Sequence, residues 1–229
     1  MSSIPYRIRR SDRARRARIQ VGGDGVEVVV PPRFALDEVP AFVEEKRPWI
    51  ERTLRRMRAS EAELPPARLA DGGEVPYLGE RLRLRVRVGP GRGRPRVLRR
   101  GGEVAVAVGE PGAEPLRRQL ERWYRVRARA EVTPRLDAAV ARAGRGYGSL
   151  EIRGQRTRWA SCSASGTMSF NWRLLLGPAE VLDYVVEHEV AHLEVPDHSA
   201  RFWALLAERC PRWPERERWL RSHGHALRL

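Results

Sequence analysis

The chain has 229 residues, 41% of them hydrophobic, and a formal net charge of +15, which suits one sizeable domain or two small ones with a proper core. No run approaches the roughly 18 apolar residues of a membrane-spanning helix, and no apolar stretch of a secretory signal follows the basic N-terminus, so a cytoplasmic protein with no membrane partner is expected. The charge points to anionic partners such as nucleic acid, but Lys46 is the one lysine among 44 basic residues; so lopsided an arginine usage fits the codon bias of a GC-rich genome, and nucleic acid is a possible but not favoured partner.

In chain order, residues 15–21 and 26–30 read as a hairpin whose loop is Gly22, Gly23, Asp24 and Gly25. Residues 36–59 read as helix, because Val39, Phe42, Val43, Trp49, Ile50, Leu54 and Met57 recur at near-helical spacing, with Pro48 kinking or splitting it. In 74–88, Leu82, Leu84, Val86 and Val88 alternate with Arg81, Arg83, Arg85 and Arg87. That is a half-buried strand with a solvated arginine face, of the kind that protects a sheet edge; a row that tracks phosphates is the rarer explanation. Residues 96–99 and 104–108 form a second hairpin around Gly101 and Gly102.

Residues 114–143 read as one long helix or two, with Leu116, Leu120, Trp123, Tyr124, Val132, Leu136, Ala139 and Val140 as the buried stripe and Pro134 as a second start. Short strands are expected at 150–153 and 168–174. The second directly precedes the helix that carries the histidines, so it is either a plain core strand or an exposed edge for an extended peptide. Between them, RTRWASCS at 156–163 is polar and compact, and Arg158, Trp159 and Ser161 are candidates to line a cleft. The end, 214–229, reads as a helix stopped by Gly224, with His223 and His225 exposed beside it.

The chemistry concentrates in VVEHEVAHLEVPDHSARFW, which begins at Val185. On a helix His188 and His192 share a face, and a tetrahedral zinc ion can bridge two such imidazoles. Glu189 lies about 60° around from His192, near enough to a bound water to act as general base without ligating the metal. Leu182, Val186, Val190 and Leu193 make a separate apolar stripe, which suits a metal site at a cleft. Pro196 should end the helix at Val195. The chain can then turn back and present His198 as the third ligand, with Asp197 as N-cap of the next helix.

Two cysteines, Cys162 and Cys210, lie far apart and in no CxxC pattern, so both are expected as free thiols. Ser161 and Cys162 are poor nucleophile candidates, since the clustered histidines are better used on metal. Oxyanion help is assigned by proximity in sequence to Tyr184, Arg158 or Asn171.

Taken together, RTRWASC, MSFNWRLLLGP, VLDYVVEHEVAHLEVPDHSARFW and PRWPERERWL resemble the YgjP-like metallopeptidase family, a group of zinc-dependent hydrolases related to the SprT-like and Wss-like zincins. The resemblance is strongest over residues 150–222. RSDRARRARIQV, VEEKRPWIERTL and YLGERLRLRV extend it weakly to the N-terminal part. It implies His188, His192 and His198 as ligands of one catalytic zinc ion and Glu189 as the catalytic glutamate. Ala160 departs from the family's usual glycine, and an alanine would be strained there if the position needs positive φ.

The expectation is therefore an α+β protein. Residues 1–113 form a small β-rich N-terminal part with a long helix. Residues 114–229 form a zincin-like helical part with a short antiparallel sheet and the HExxH helix, or the two pack as one unit. The function expected is a zinc metallopeptidase acting on a peptide or protein. The alternatives are a metal-dependent nucleotide or phosphoanhydride hydrolase and a nucleic-acid-associated zinc protein.

Overall fold

The computed structural model describes residues 4–22, 25–89, 97–155 and 158–229. Among them are six α-helices and three small sheets, an α+β chain. It divides into two compact units, Met1–Pro65 with Ser222–Ala226, and Pro66–Arg221 with Leu227–Leu229.

The first unit holds strands β1 (Tyr6–Arg10), β2 (Arg18–Gly22) and β3 (Gly25–Val30) in the order β1-β3-β2. The predicted hairpin is β2–β3, antiparallel with Ile19 opposite Val28; Gly23 and Asp24 of its loop lie outside the described residues. The expected long helix is two, α1 (Val39–Glu45) and α2 (Arg47–Glu63). Pro48 sits in the first turn of α2, where its missing N–H costs nothing, and the chain breaks just before it at Lys46. Val26, Val28, Val30, Val39, Val43 and Ile50 form the core. His223 is not exposed as expected: it is buried, with Nε2 2.8 Å from a Glu63 carboxylate oxygen. The Ser60 hydroxyl donates to the Ser222 carbonyl beside it, at 3.0 Å.

In the second unit, β4 (Glu74–Tyr77), β5 (Glu80–Val88), β6 (Val97–Arg100) and β7 (Glu103–Val108) form a sheet ordered β4-β5-β7-β6. Helix α3 (Ala113–Arg142) packs on it with Leu116, Leu120, Tyr124 and Ala128 buried. Pro134 lies inside α3 without dividing it. Side-chain donors serve the backbone there, Arg135 to the Glu131 carbonyl and Thr133 to the Arg129 carbonyl, each at 2.8 Å. Tyr77 of β4 packs 5.5 Å from Trp123, and the Tyr124 hydroxyl donates to the Pro76 carbonyl. These contacts tie residues 74–108 to α3, so the units divide after Pro65 and the sheet does not belong to the N-terminal part as expected.

The third sheet consists of β8 (Ser149–Arg153), β9 (Ala160–Cys162) and β10 (Thr167–Asn171), ordered β8-β10-β9. It is mixed rather than antiparallel: β10 runs parallel to β8 and antiparallel to β9. β10 is thus the interior strand, and the exposed-edge alternative for 168–174 fails. Its expected last residues form a 3-10 turn, Trp172–Leu176, because the Asn171 side chain accepts the Arg173 N–H at 3.1 Å. Met168, Phe170 and Trp172 are almost fully buried.

The turn between β4 and β5 anchors this region. Leu78 adopts a left-handed φ of 50° beside Gly79 at 91°, as a two-residue hairpin turn requires. The Leu78 N–H reaches the Leu175 carbonyl at 2.8 Å. From there the chain enters α4 (Ala179–Ala191), α5 (Ala200–Arg209) and α6 (Trp213–His223). Arg135 and Arg142 of α3 pair with Asp183 and Glu187 of α4, fixing the rotation of that helix. Among the described residues no helix is long and apolar enough to cross a membrane.

Candidate metal centre

Helix α4 is rich in β-branched valine, which favours strand over helix. Tertiary burial overrides that preference: Val181, Leu182, Tyr184, Val185, Val186, Val190 and Ala191 are all buried. The helix is enclosed on most sides, and not merely along the stripe the sequence suggests. It also ends earlier than expected, at Ala191, with His192 as its C-cap. Tight turns follow, in which the Leu193 and Glu194 N–H groups reach the Val190 and Ala191 carbonyls. They bring the Val195 carbonyl to 3.1 Å from His192 Nδ1. Pro196 then carries the chain to His198. The N-cap of α5 is Ser199 and not Asp197, whose carboxylate instead accepts the Ser199 N–H at 3.0 Å.

One nitrogen each of His188, His192 and His198 lies within 4.8 Å of the other two. His188 Nε2 and His198 Nε2 are 3.1 Å apart. In His192, Nδ1–H donates to the Val195 carbonyl, which leaves Nε2 with a bare lone pair. Burial, with the neighbouring imidazoles of His192 and His198, pushes His188 down to about 4, and burial lowers His192 as well. Both rings are therefore neutral near pH 7, the state in which imidazole binds metal.

Phe202, which the sequence does not mark, is the floor of this cluster. It is fully buried, and its ring centroid lies 4.5, 4.9 and 4.8 Å from those of His192, His188 and His198. Phe202 and Leu206, four apart on α5, are that helix's buried pair, the one periodic hint available. Trp203 flanks His198 at 5.6 Å and stacks on Trp213 at 4.4 Å.

Glu189 is also buried. Removal from water pushes its carboxyl up to about 7, against the pull of a hydrogen bond from the Cys162 backbone N–H. That bond follows from the sheet. The Ser163 N–H bonds to Thr167 and the Asn171 N–H to Trp159, so residues 159, 161 and 163 face β10. The backbone groups of Ala160 and Cys162 therefore point away from the sheet, toward α4. β9 is an edge strand, and its short side chains, Ala160, Ser161 and Cys162, hid it in the sequence.

A pocket of about 260 Å³ opens here. Trp159, Tyr184, Val185 and Leu220 line it, His188 and Glu189 form part of its wall, and Arg158 stands at it exposed. Burial raises the Tyr184 phenol well above its ordinary value, so the hydroxyl keeps its proton. Of the groups expected near the chemistry, Tyr184 and Arg158 are present. Asn171 is not: its side-chain amide donates to the Gln155 and Arg158 carbonyls, at 2.7 and 3.1 Å. Ser161 pairs with Ser169 in the sheet. Cys162 and Cys210 are free thiols, and neither joins the imidazole cluster. Ala160 is unstrained, since Leu78 is the non-glycine residue with positive φ among those described.

The YgjP-like family profile, metallopeptidase domain, matches residues 15–223. A search of curated proteins gives no match. Among solved structures, the metallopeptidase zymogen abylysin of Pyrococcus abyssi is similar at 27% identity over 39% of this chain and 92% of that one, with a TM-score of 0.36. The zymogen jannalysin of Methanocaldococcus jannaschii is similar at 18% identity over 39% and 87%, with the same TM-score. On the extent of the family match, the chain belongs to the YgjP-like metallopeptidase family.

Proposed function

We propose that this chain is a zinc peptidase of zincin-like arrangement, in which His188, His192 and His198 hold one zinc ion and Glu189 is the general base. The observation that carries this reading is the convergence of three imidazole nitrogens within 4.8 Å beside a buried carboxylate. The donor set fits. Three imidazole nitrogens would hold a zinc ion, and the 3.1 Å between His188 Nε2 and His198 Nε2 would let one ion reach both. Three protein donors also leave one coordination position open, as catalytic rather than structural zinc sites do. Bound zinc supplies Lewis-acid polarisation of the scissile carbonyl and acidifies water.

The chain's own residues do the rest. Glu189 takes a proton from the attacking water and passes it to the leaving amine; an elevated affinity near 7 suits both directions. The Cys162 N–H fixes the carboxylate's orientation. The protonated Tyr184 hydroxyl is the donor available in the same pocket for charge developing on the carbonyl oxygen. The outer edge of β9 at Ala160 offers backbone groups to an extended peptide. The pocket between Trp159, Val185 and Leu220 takes a substrate side chain.

The family membership favours a peptide or protein substrate over a phosphoanhydride. Metal-loaded protein assayed in parallel on a peptide library and on nucleotides tests the reading. Peptide cleavage abolished by a chelator supports it, and turnover of nucleotides alone overturns it.

A further inference from the structure

The four-stranded sheet buries Leu82, Leu84, Val104 and Val106 and turns its other face to solvent. On that outer face stand Arg81, Arg83, Arg85 and Arg87 of β5. Edge protection does not explain this row. β7 pairs along one side of β5; on the other, β4 pairs with Glu80–Arg83, Gly72 and Gly73 bond the Leu84 backbone, and the Asp71 carboxylate accepts the Val86 N–H, so little open edge is left to defend.

The register gives the face a shape. Arg85 lies opposite Ala105, which lies opposite Leu98; Arg87 lies opposite Ala107, and Arg100 opposite Glu103. The two alanines of β7 therefore run as a low floor between taller side chains on β5 and β6. The result is a trough of about 740 Å³. Its charge is unbalanced. Arg85 pairs with Glu103 at 3.0 Å, and Asp71, whose Oδ1 accepts the Val86 N–H at 2.8 Å, keeps its negative charge, so the lining sets Arg85, Arg87 and Arg100 against two carboxylates. Arg87 and Arg100 meet no carboxylate among the described residues. Leu98 stands in the trough wall 52% exposed.

We propose that this trough is a docking site for an extended acidic segment of a partner protein. Arginines two apart on a strand repeat every 6.6–6.8 Å or so, the same repeat at which alternate side chains of an extended peptide face one way. Each guanidinium presents a planar fork that pairs with a carboxylate through two hydrogen bonds. The two strand spacings from β5 to β6, about 9.6 Å, admit one extended chain. The groups between the arginines, Ala105, Ala107 and Leu98, are aliphatic. They suit peptide side chains, whereas single-stranded nucleic acid is held by stacking on aromatic rings. This site stands independently of the hydrolytic reading, because it is a binding surface on a different sheet.

The test is fluorescence polarisation with the full chain. The probes are a labelled eight-residue peptide alternating Glu and Val, its Lys-for-Glu counterpart, and a labelled oligothymidine of eight nucleotides. The acidic peptide binds, more weakly as salt rises, and the lysine peptide does not. Combining Arg87→Glu with Arg100→Glu weakens binding about tenfold or more. Ala105→Trp, which fills the floor and leaves the charge unchanged, also abolishes it. Circular dichroism establishes that each variant is folded. The proposal is overturned by absence of peptide binding, by equal binding to wild type and both variants, or by oligothymidine binding more tightly with the same sensitivity to the variants.

Discussion

The ring of Phe202 stacks on His192, with centroids 4.5 Å apart and planes 27° from parallel. The same ring meets His188 and His198 edge-on. One fully buried phenylalanine thus sets the height of all three imidazoles, and because α5 begins directly after His198 it also fixes where the third ring returns to the first two. Phe202→Ala leaves a cavity under the cluster and costs about 3–5 kcal/mol, with Phe202→Leu a fraction of that. Urea unfolding in the presence of chelator reads the packing loss free of metal, and a zinc titration reads the positional loss. Both fall in the alanine variant. Unchanged zinc affinity in a folded Phe202→Ala protein would remove its role as platform.

Glu189 is oriented by a backbone group, not by the side chain that carries it. Cys162→Ala therefore leaves zinc content and turnover near wild type. Cys162→Pro deletes the N–H at a position on the outer side of an edge strand, where proline is tolerated. A charge-assisted bond of about 1.5–3 kcal/mol is lost, so turnover drops roughly tenfold to a hundredfold while zinc is retained. Metal analysis beside a peptide assay on the two variants checks this. Equal activity in both would show that the Cys162 N–H does not matter.

The Glu131 carboxylate joins β4 to α3 and α3 to its own next turn. Burial alone would raise its pKa, but hydrogen bonds from Tyr77 and Arg135, and the charges of Arg135 and Arg127, outweigh that and lower it below 4.5. A carboxyl with a depressed folded pKa stabilises the fold above its unfolded value and loses that contribution as pH falls through the folded one. Glu131→Gln is accordingly less stable than wild type at pH 7 by about 1–2 kcal/mol, and the gap closes as pH falls through the depressed folded pKa of Glu131. Denaturant midpoints measured from pH 7 to pH 3 test this; a constant gap across that range contradicts it.

Where the chain's pattern is periodic, the sequence is legible. The hairpins β2–β3 and β6–β7, the helical character of α3 though not its continuity through Pro134, and the shared helix face of His188 and His192 follow from spacing. His198 is open to the chain through a turn at Pro196, though the helix ends earlier, at Ala191, and the turn begins before the proline. Three things were not legible, each for a physical reason. β9 is three residues of alanine, serine and cysteine, with neither the apolar alternation nor the bulk that announces a strand; pairing with β10 makes it one. Phe202 looks like any helix core residue until the fold puts three imidazoles on it. The boundary after Pro65 depends on Tyr77 and Pro76 finding Trp123 and Tyr124, contacts that join residues nearly fifty positions apart and leave no local signal.

The most direct measurement compares Glu189→Gln and His198→Ala with wild type for bound zinc and peptide turnover in the same preparations. The amide of Glu189→Gln keeps the shape of the carboxylate but cannot accept a proton at neutral pH. Zinc then stays near one per chain while turnover falls roughly a hundredfold or more. His198→Ala leaves two histidines, fewer than the three protein ligands usual for catalytic zinc, so zinc and turnover fall together. Full zinc and full rate in His198→Ala, or normal turnover in Glu189→Gln, would contradict the assignment of ligands and base on which the account rests.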